Sequence, residues 1–441
     1  MALAFTQEPT SIFAAIQPYC VTMYNSSYGS YTKYRYVLDI SINGTLVDRK
    51  KLLPNAAGYA IFDISKTVQD YLVTTYIQRD GSGNYTAEIS NIAERTSVTG
   101  STSFSRSYDT VAYVLLQARE EYDIAGTVTL SSVQDSVSAF GMPITTIFAN
   151  GANYLDLSLY GNDDSVDKRF LTNAPEIVYC PADGYGTISF INFYSGTLAD
   201  NKIVEIGYIG YDDAGGTTGD EYYYNTLGIS LAAAGLSEGI NASGIISVNR
   251  DYIIGHLPFG WQNIEDDNNL SGQFNNSTRI KVKCFSANGV VMESPYLAVT
   301  DCSRFPNVRL RFKNAFGVWD YFDFNKVSKT SEVINKKSYK RIVGTFNGTS
   351  YTYQTYDRED VQYGFTGKQS IILNTDWLTQ DQYTWLAEMI QSNEVAIYES
   401  GTWLAANITD SNYEFKTDVV DGIKKQLTIK CEYANELRLA Q

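Results

Sequence analysis

A single histidine, His256, stands in the whole chain. Catalytic triads, zinc sites and the commonest acid–base pairs lean on imidazole, so these chemistries have little to work with. The setting DYIIGHLPFGW reads as that of a packed loop residue rather than a base. Glycoside hydrolysis needs only two acids and no histidine. Paired acids occur in NDDSVDK (Asp163, Asp164), YDDAGG (Asp212, Asp213), EDDNN (Asp266, Asp267) and YDRED (Asp357, Asp360). Asp in Gly- and Asn-rich segments commonly makes turns with its own backbone, which is the reading adopted for them. RDGSGNY offers oxygen ligands near Asp80 but lacks the full calcium-loop pattern and its terminal Glu, so Asp80-Gly81 reads as a turn. Neither GxxxxGK[ST] nor a GxGxxG opening a helix after a strand is present, which leaves nucleotide binding without support. Trp261, Trp319 and Trp403 could stack on sugar rings, yet each lies beside apolar residues at core-like spacing, which favours burial. The expectation is no catalytic residue, no cofactor and no metal.

The elements that would position any site follow from composition. At 441 residues the chain exceeds the ~250–300 residues at which one core stops growing, so two to four domains are expected. A hydrophobic fraction of 44% against 19% charged is that of a folded protein. The 35 Tyr and 20 Phe suit pleated sheet surfaces, and Tyr also suits large interfaces. A net charge of −15 disfavours a role whose main contact is nucleic-acid phosphate. Cys20, Cys180, Cys284, Cys302 and Cys431 are odd in number and scattered, and read as reduced thiols acting as small apolar side chains. The chain has no apolar run of ~18 residues and its start lacks secretory-signal character, so cytosolic synthesis without a membrane span is expected.

Along the chain, Tyr34, Tyr36, Leu38 and Ile40 keep period two up to an Asn43-Gly44 hairpin turn, predicting a half-buried antiparallel pair. Ile64, Val68, Tyr71 and Leu72 predict one short helix, with Asp63 or Ser65 at its start. VAYVLLQA (111–118) reads as a strand buried on both faces. The order strand, loop, helix, strand pair recurs in residues 202–294, where NTLGISLAAAGL reads as the helix, suggesting an internal duplication. From Pro306 the composition shifts, with Trp319, Trp377, Trp385 and Trp403 all in the last third. VRLRF reads as a strand that exposes Arg309 and Arg311. TQDQYTWLAEMIQS is the best helix, with a Thr379/Gln382 capping box and a stripe of Tyr383, Leu386, Ala387 and Ile390. VAIYESGTWLAANI reads as a hairpin at Ser400-Gly401, and QLTIKCEYA as a strand with Leu427, Ile429, Cys431 and Tyr433 on one face. The expected fold class is mainly β with minor α: tandem β-sandwich-like modules followed by an α+β C-terminal domain. The expected domains are 1–122, 123–303 and 304–441.

The opening FTQEPTSIFAAIQPYCVTMYNSS, then YRYVLDISINGTLVDRKKLLPN and AIFDISKTVQDYL, resembles the N-terminal module of tail-associated virion structural proteins from tailed phages of marine and Bacteroidetes hosts. QAREEYD, KRFLTNAPEIVY, TISFINFY, LRFKNAFGVWDYFDF, EVAIYESGTWLAANITDSNYE and QLTIKCEYANEL look like later landmarks of that group, in order. The resemblance implies a non-enzymatic architectural protein of the tail, baseplate or neck region, localised in the virion and assembled in the host cytoplasm. It implies as partners a ring-like homo-oligomer and other phage tail or neck proteins, with no membrane and no specific nucleic acid. Composition adds a candidate interaction surface at Trp319, Tyr321, Phe322 and Trp403. The alternative is a receptor-binding or tail-fibre protein that recognises host surface glycans, although no short repeat or heptad run is present.

Overall fold

Tyr, Thr, Val and Ile at period two fill a pleated surface better than a helix, and in the computed structural model strands dominate with only minor helix. The structure describes residues 3–8, 12–16, 18–72, 75–79, 85–88, 105–108, 111–143, 160, 168–191, 205–225, 254–267, 270–286, 289–300, 305–409 and 426–440. The chain divides into two compact units, Met1–Thr300 with Asn314–Asp320, and Asp301–Lys313 with Tyr321–Gln441.

The first unit opens with two sheets. Ala4–Gln7, Cys20–Tyr24 and Tyr59–Asp63 form one. Ile12–Ala14, Asp135–Met142, Ala112–Ile124, Thr32–Ile42 and Thr45–Leu52 form the other in that spatial order. Leu3, Val21, Met23 and Phe62 from the smaller sheet share a core with Tyr36, Leu38, Ile40, Val114 and Leu116 from the larger, in a sandwich-like arrangement. Asn43 and Gly44, both at positive φ, make the tight turn between Thr32–Ile42 and Thr45–Leu52.

Thr32–Ile42 is more enclosed than its alternation suggested, because every residue from Tyr36 to Ile42 is buried. The face expected to meet water carries Asp39, which accepts two hydrogen bonds from Arg49 at 2.5 and 2.8 Å and has the Arg119 guanidinium 2.9 Å away. Conversely, Ala112–Ile124 alternates buried Ala112, Val114, Leu116 and Ala118 with half-buried Tyr113, Leu115 and Gln117, so it has one core face instead of two. Residues 122 and 123 both lie inside this strand, which is continuous sheet through the point where a module boundary was expected. Composition had no means of marking a strand that pairs along its whole length.

Two more sheets complete the first unit. Glu205–Tyr211 sits between Thr217–Asn225 and Arg279–Ser286, with Tyr296–Val299 and Ile177–Cys180 beyond. Thr187–Ile191, Ile254–Pro258, Ser105–Tyr108, Thr75–Arg79 and Tyr85–Glu88 form the other, joining segments from before and after residue 122. Ile188, Phe190 and Leu257 share a core with Ile206, Tyr208, Val282 and Cys284. Of the helix read in residues 225–236, residues 226–236 lie outside the described residues, and Asn225 is the last residue of the strand Thr217–Asn225.

In the second unit, Tyr321–Phe324 (the part of the strand Trp319–Phe324 that belongs to it), Val308–Lys313, Val395–Glu399, Thr402–Ile408, Thr428–Tyr433, Asp360–Asn374 and Lys329–Lys340 lie in that order in one sheet, with Leu437–Ala440 beside Asp360–Asn374. The helix Gln380–Gln391 carries the expected capping box: Thr379 accepts from the Gln382 backbone N–H, and the Gln382 side chain accepts from that of Thr379. Its buried residues include Trp385 and Met389 as well as Tyr383, Leu386 and Ala387, a wider stripe than predicted. Ser400 and Gly401 turn the hairpin at positive φ.

The short helix of the first unit spans Ser65–Gln69 and buries Val68, while Tyr71 falls outside it and is exposed. Asp63 fixes its entry by accepting from Ser65 N (2.9 Å), Ser65 Oγ (2.7 Å) and Tyr19 N (3.2 Å). Burial pushes the Asp63 carboxyl up, but these donors and the Lys50 charge outweigh it and hold the group below its ordinary value. A depressed carboxyl stabilises the fold above its unfolded pKa of about 3.9 and loses that contribution as pH falls. Asp63→Asn is therefore expected to lower the urea midpoint at pH 6, with the gap to the wild type closing at pH 3. A gap independent of pH would show that the charge is not what matters.

Cys180, Cys284 and Cys431 are buried free thiols, Cys20 is half-buried, and burial pushes the Cys284 thiol well up. Native alkylation at pH 8 is expected to spare Cys284 and Cys431, both of which react once urea unfolds the chain.

Candidate interaction surface

The residues singled out for chemistry do not converge. His256 lies in the strand Ile254–Pro258, not in a loop, because its neighbours pair directly with Thr187–Ile191. Ser189 stands opposite it with Oγ 2.7 Å from His256 Nδ1. A Ser–His pair is the start of a nucleophilic site, but both residues are 2% exposed and no substrate reaches them. The pair is a satisfied hydrogen bond in the core.

Among the described acids, Asp212 and Asp267 behave as turn and cap residues, whereas Asp266 and Asp213 bond to side chains elsewhere. Asp212 Oδ1 accepts from Gly216 N at 2.8 Å. Asp266 accepts from the Tyr185 hydroxyl and Gln262, and buried Asp267 accepts from Leu270 N. Asp163, Asp164 and Asp80 lie outside the described residues. Among the described residues no group of three or more His, Cys, Asp or Glu could hold a metal ion, and no helix is long and apolar enough to cross a membrane.

The aromatic quartet is not an exposed patch. Trp319 and Tyr321 are buried, at 7% and 6% exposure, and Phe322 and Trp403 are half-buried. On one sheet face of the second unit, Arg309 sits over the Tyr321 ring at 5.4 Å and ion-pairs with Asp323. Arg311 sits over Trp403 at 4.7 Å, and Trp403 meets Tyr321 edge-on at 5.9 Å and Tyr398 at 5.0 Å. Cation–π contacts, one to the adjacent strand and one reaching across Val395–Glu399 to Trp403, thus absorb the two arginines expected to face water. On the opposite face Phe312 and Phe322 pack on Trp385 of the helix. Among the tryptophans, Trp377 is the exposed one, at 58%.

The exposed surface lies elsewhere. Lys329–Lys340 pairs with Asp360–Asn374 along a twelve-residue ladder, and every residue of Lys329–Lys340 is exposed. At about 3.4 Å per residue the ladder runs roughly 40 Å. Along Asp360–Asn374, Thr428–Tyr433 reaches only Ser370–Asn374 and Leu437–Ala440 only Gly364–Gly367, so among the described residues the ribbon has just two strands from Gln362 outward. At its end Thr345–Phe346 pairs with Tyr351–Thr352 around Asn347-Gly348. Asn347 Oδ1 holds that turn by accepting from Thr349 N and Ser350 N. Gly344, at φ +91, leads into it where a side chain would strike the Thr352 carbonyl. The arm bears exposed Val333, Ile334, Ile342, Phe346, Tyr353 and Tyr356.

The sequence reading passed over this arm. Its signal was present: Asn-Gly in a stretch rich in Val, Ile, Thr and Tyr. Lysines interrupt the alternation on both faces, so no core face could be read. Compared with known proteins, the chain matches no family model and no curated protein.

Arg309 and Asp323 are both almost fully enclosed, at 7% and 9% side-chain exposure. Breaking such a pair from one side costs about 3–5 kcal/mol, whereas an exposed substitution stays within about 0.5 kcal/mol. Thermal melts are expected to show a large drop for Arg309→Ala and none for Lys337→Ala. Equal melts would place Arg309 in water.

Proposed function

We propose that this chain is a structural component of a tailed-phage virion, in its tail, baseplate or neck region, acting by self-association and docking to neighbouring virion proteins. The observation that carries the reading is the arm. From Gln362 outward the ribbon has water on both faces and no core of its own, and two-stranded hairpins are marginal alone. Apolar side chains clustered on such an element are the mark of an interaction site. The sheet of the second unit, from which the ribbon extends, is the base that presents it. Subunits in a ring meet through one heterologous contact repeated by rotation, to which a projecting element on one side is suited. An acidic remainder keeps unassembled copies soluble and off packaged DNA.

A receptor-binding role is the second reading. Exposed Trp377, Tyr353 and Tyr356 offer ring faces of the kind that stack on sugars.

Native mass spectrometry of the full-length protein, with negative-stain images of the same sample, tests both. A closed ring of on the order of six or twelve copies is expected. A slender trimer that binds a glycan panel would replace the first reading with the second. A monomer at every concentration, inert on glycans, would remove the self-association reading.

A further inference from the structure

We infer that the arm Lys329–Asn374 docks onto the first unit of a second copy of this chain, an inference that rests on the self-association reading above. Three observations converge on it. Among the described residues the outer edge of Lys329–Lys340 pairs with no other strand, and every residue of that strand is exposed. Nine of the twenty-four large apolar side chains exposed among the described residues fall within the arm. An edge that is both long and apolar is a pairing hazard that proteins blunt with lysine or cover with a partner.

Charge selects the partner. Lys329–Lys368 carries seven Lys or Arg against four Asp or Glu, although the chain as a whole is at −15. The first unit carries 32 acidic against 17 basic residues. Lys336, Lys337 and Lys340 stand on the edge strand itself, where they repel the same strand of another copy. The lysines therefore disfavour arm-to-arm pairing, which would lead to open aggregates, and favour an acidic surface. Both signs of net charge are present in one chain, so copies can associate head to tail without a third component. Nucleic acid is a poorer match, since the four carboxylates interleave with the cations and the rest of the chain is acidic.

The test places a photoreactive benzoylphenylalanine at Ile342, which is 86% exposed, in the otherwise intact chain. After irradiation at an assembling concentration, peptide mapping of the crosslinked dimer is expected to join residue 342 to the first unit of another chain. In parallel, the triple variant K336E/K337E/K340E is expected to weaken assembly at least tenfold with an unchanged melt. Raising salt from 50 to 500 mM is expected to weaken the wild type in the same direction. Crosslinks confined to the second unit, to the same chain or to no protein would overturn the inference, as would a triple variant that assembles normally. In those cases a ring in native mass spectra keeps the self-association reading intact. A wild type that never associates removes both.

Discussion

Every backbone N–H and C=O of a β protein needs a partner, and in this chain hairpins meet part of that requirement while strands far apart in sequence meet much of the rest. Ala112–Ile124 lies between Thr32–Ile42 and Asp135–Met142. Ile254–Pro258 closes on Thr187–Ile191 on one side and Ser105–Tyr108 on the other. Asp360–Asn374 takes up Lys329–Lys340, Thr428–Tyr433 and Leu437–Ala440. Side-chain packing then follows from which face each ladder turns inward. Among the sheet edges of the described residues, that of Lys329–Lys340 is the longest, at twelve residues, and every residue on it is exposed.

Much of this was legible because alternation and turn chemistry are local. Tyr34, Tyr36, Leu38 and Ile40 are buried on the same strand that their spacing predicted, and Asn43-Gly44 and Ser400-Gly401 turn where positive φ is needed. Thr379 and Gln382 cap the helix from within four residues. What was not legible depends on partners. Arg309 and Arg311 look solvent-facing on their own strand, and it is Asp323, Tyr321 and Trp403 from other strands of the sheet that cover them. Asp39 reads as an exposed position until Arg49 and Arg119 are laid beside it. The aromatic quartet shows the same limit: an aromatic at strand spacing suits a core and an interface equally, and Trp319 and Tyr321 are buried within the chain.

Tyrosine shows this double use most clearly. In the first unit Tyr36 donates to the Gly58 carbonyl and accepts from Asn25 N, while Tyr34 donates to the Glu120 carboxylate. Burial and the Glu120 charge push the Tyr34 hydroxyl well up, so it stays a donor. Tyr208 is fully enclosed and donates to the Pro258 carbonyl. These rings bring apolar area inside and leave no hydroxyl unsatisfied. On the arm, by contrast, Tyr339 and Tyr363 lean on each other at 6.0 Å with both half in water. An aromatic pair of that kind stiffens a ribbon that has no core to stiffen it.

The solitary histidine has a consequence beyond catalysis. His256 is sealed between strands, and imidazole is the one side chain whose ordinary pKa falls between about pH 5 and 8. The other ionisable side chain types, Lys, Arg, Asp, Glu, Tyr and Cys, have ordinary values outside that interval. On the proposed assembly reading, salt is then a more direct lever on the contacts of this chain than mild acidification.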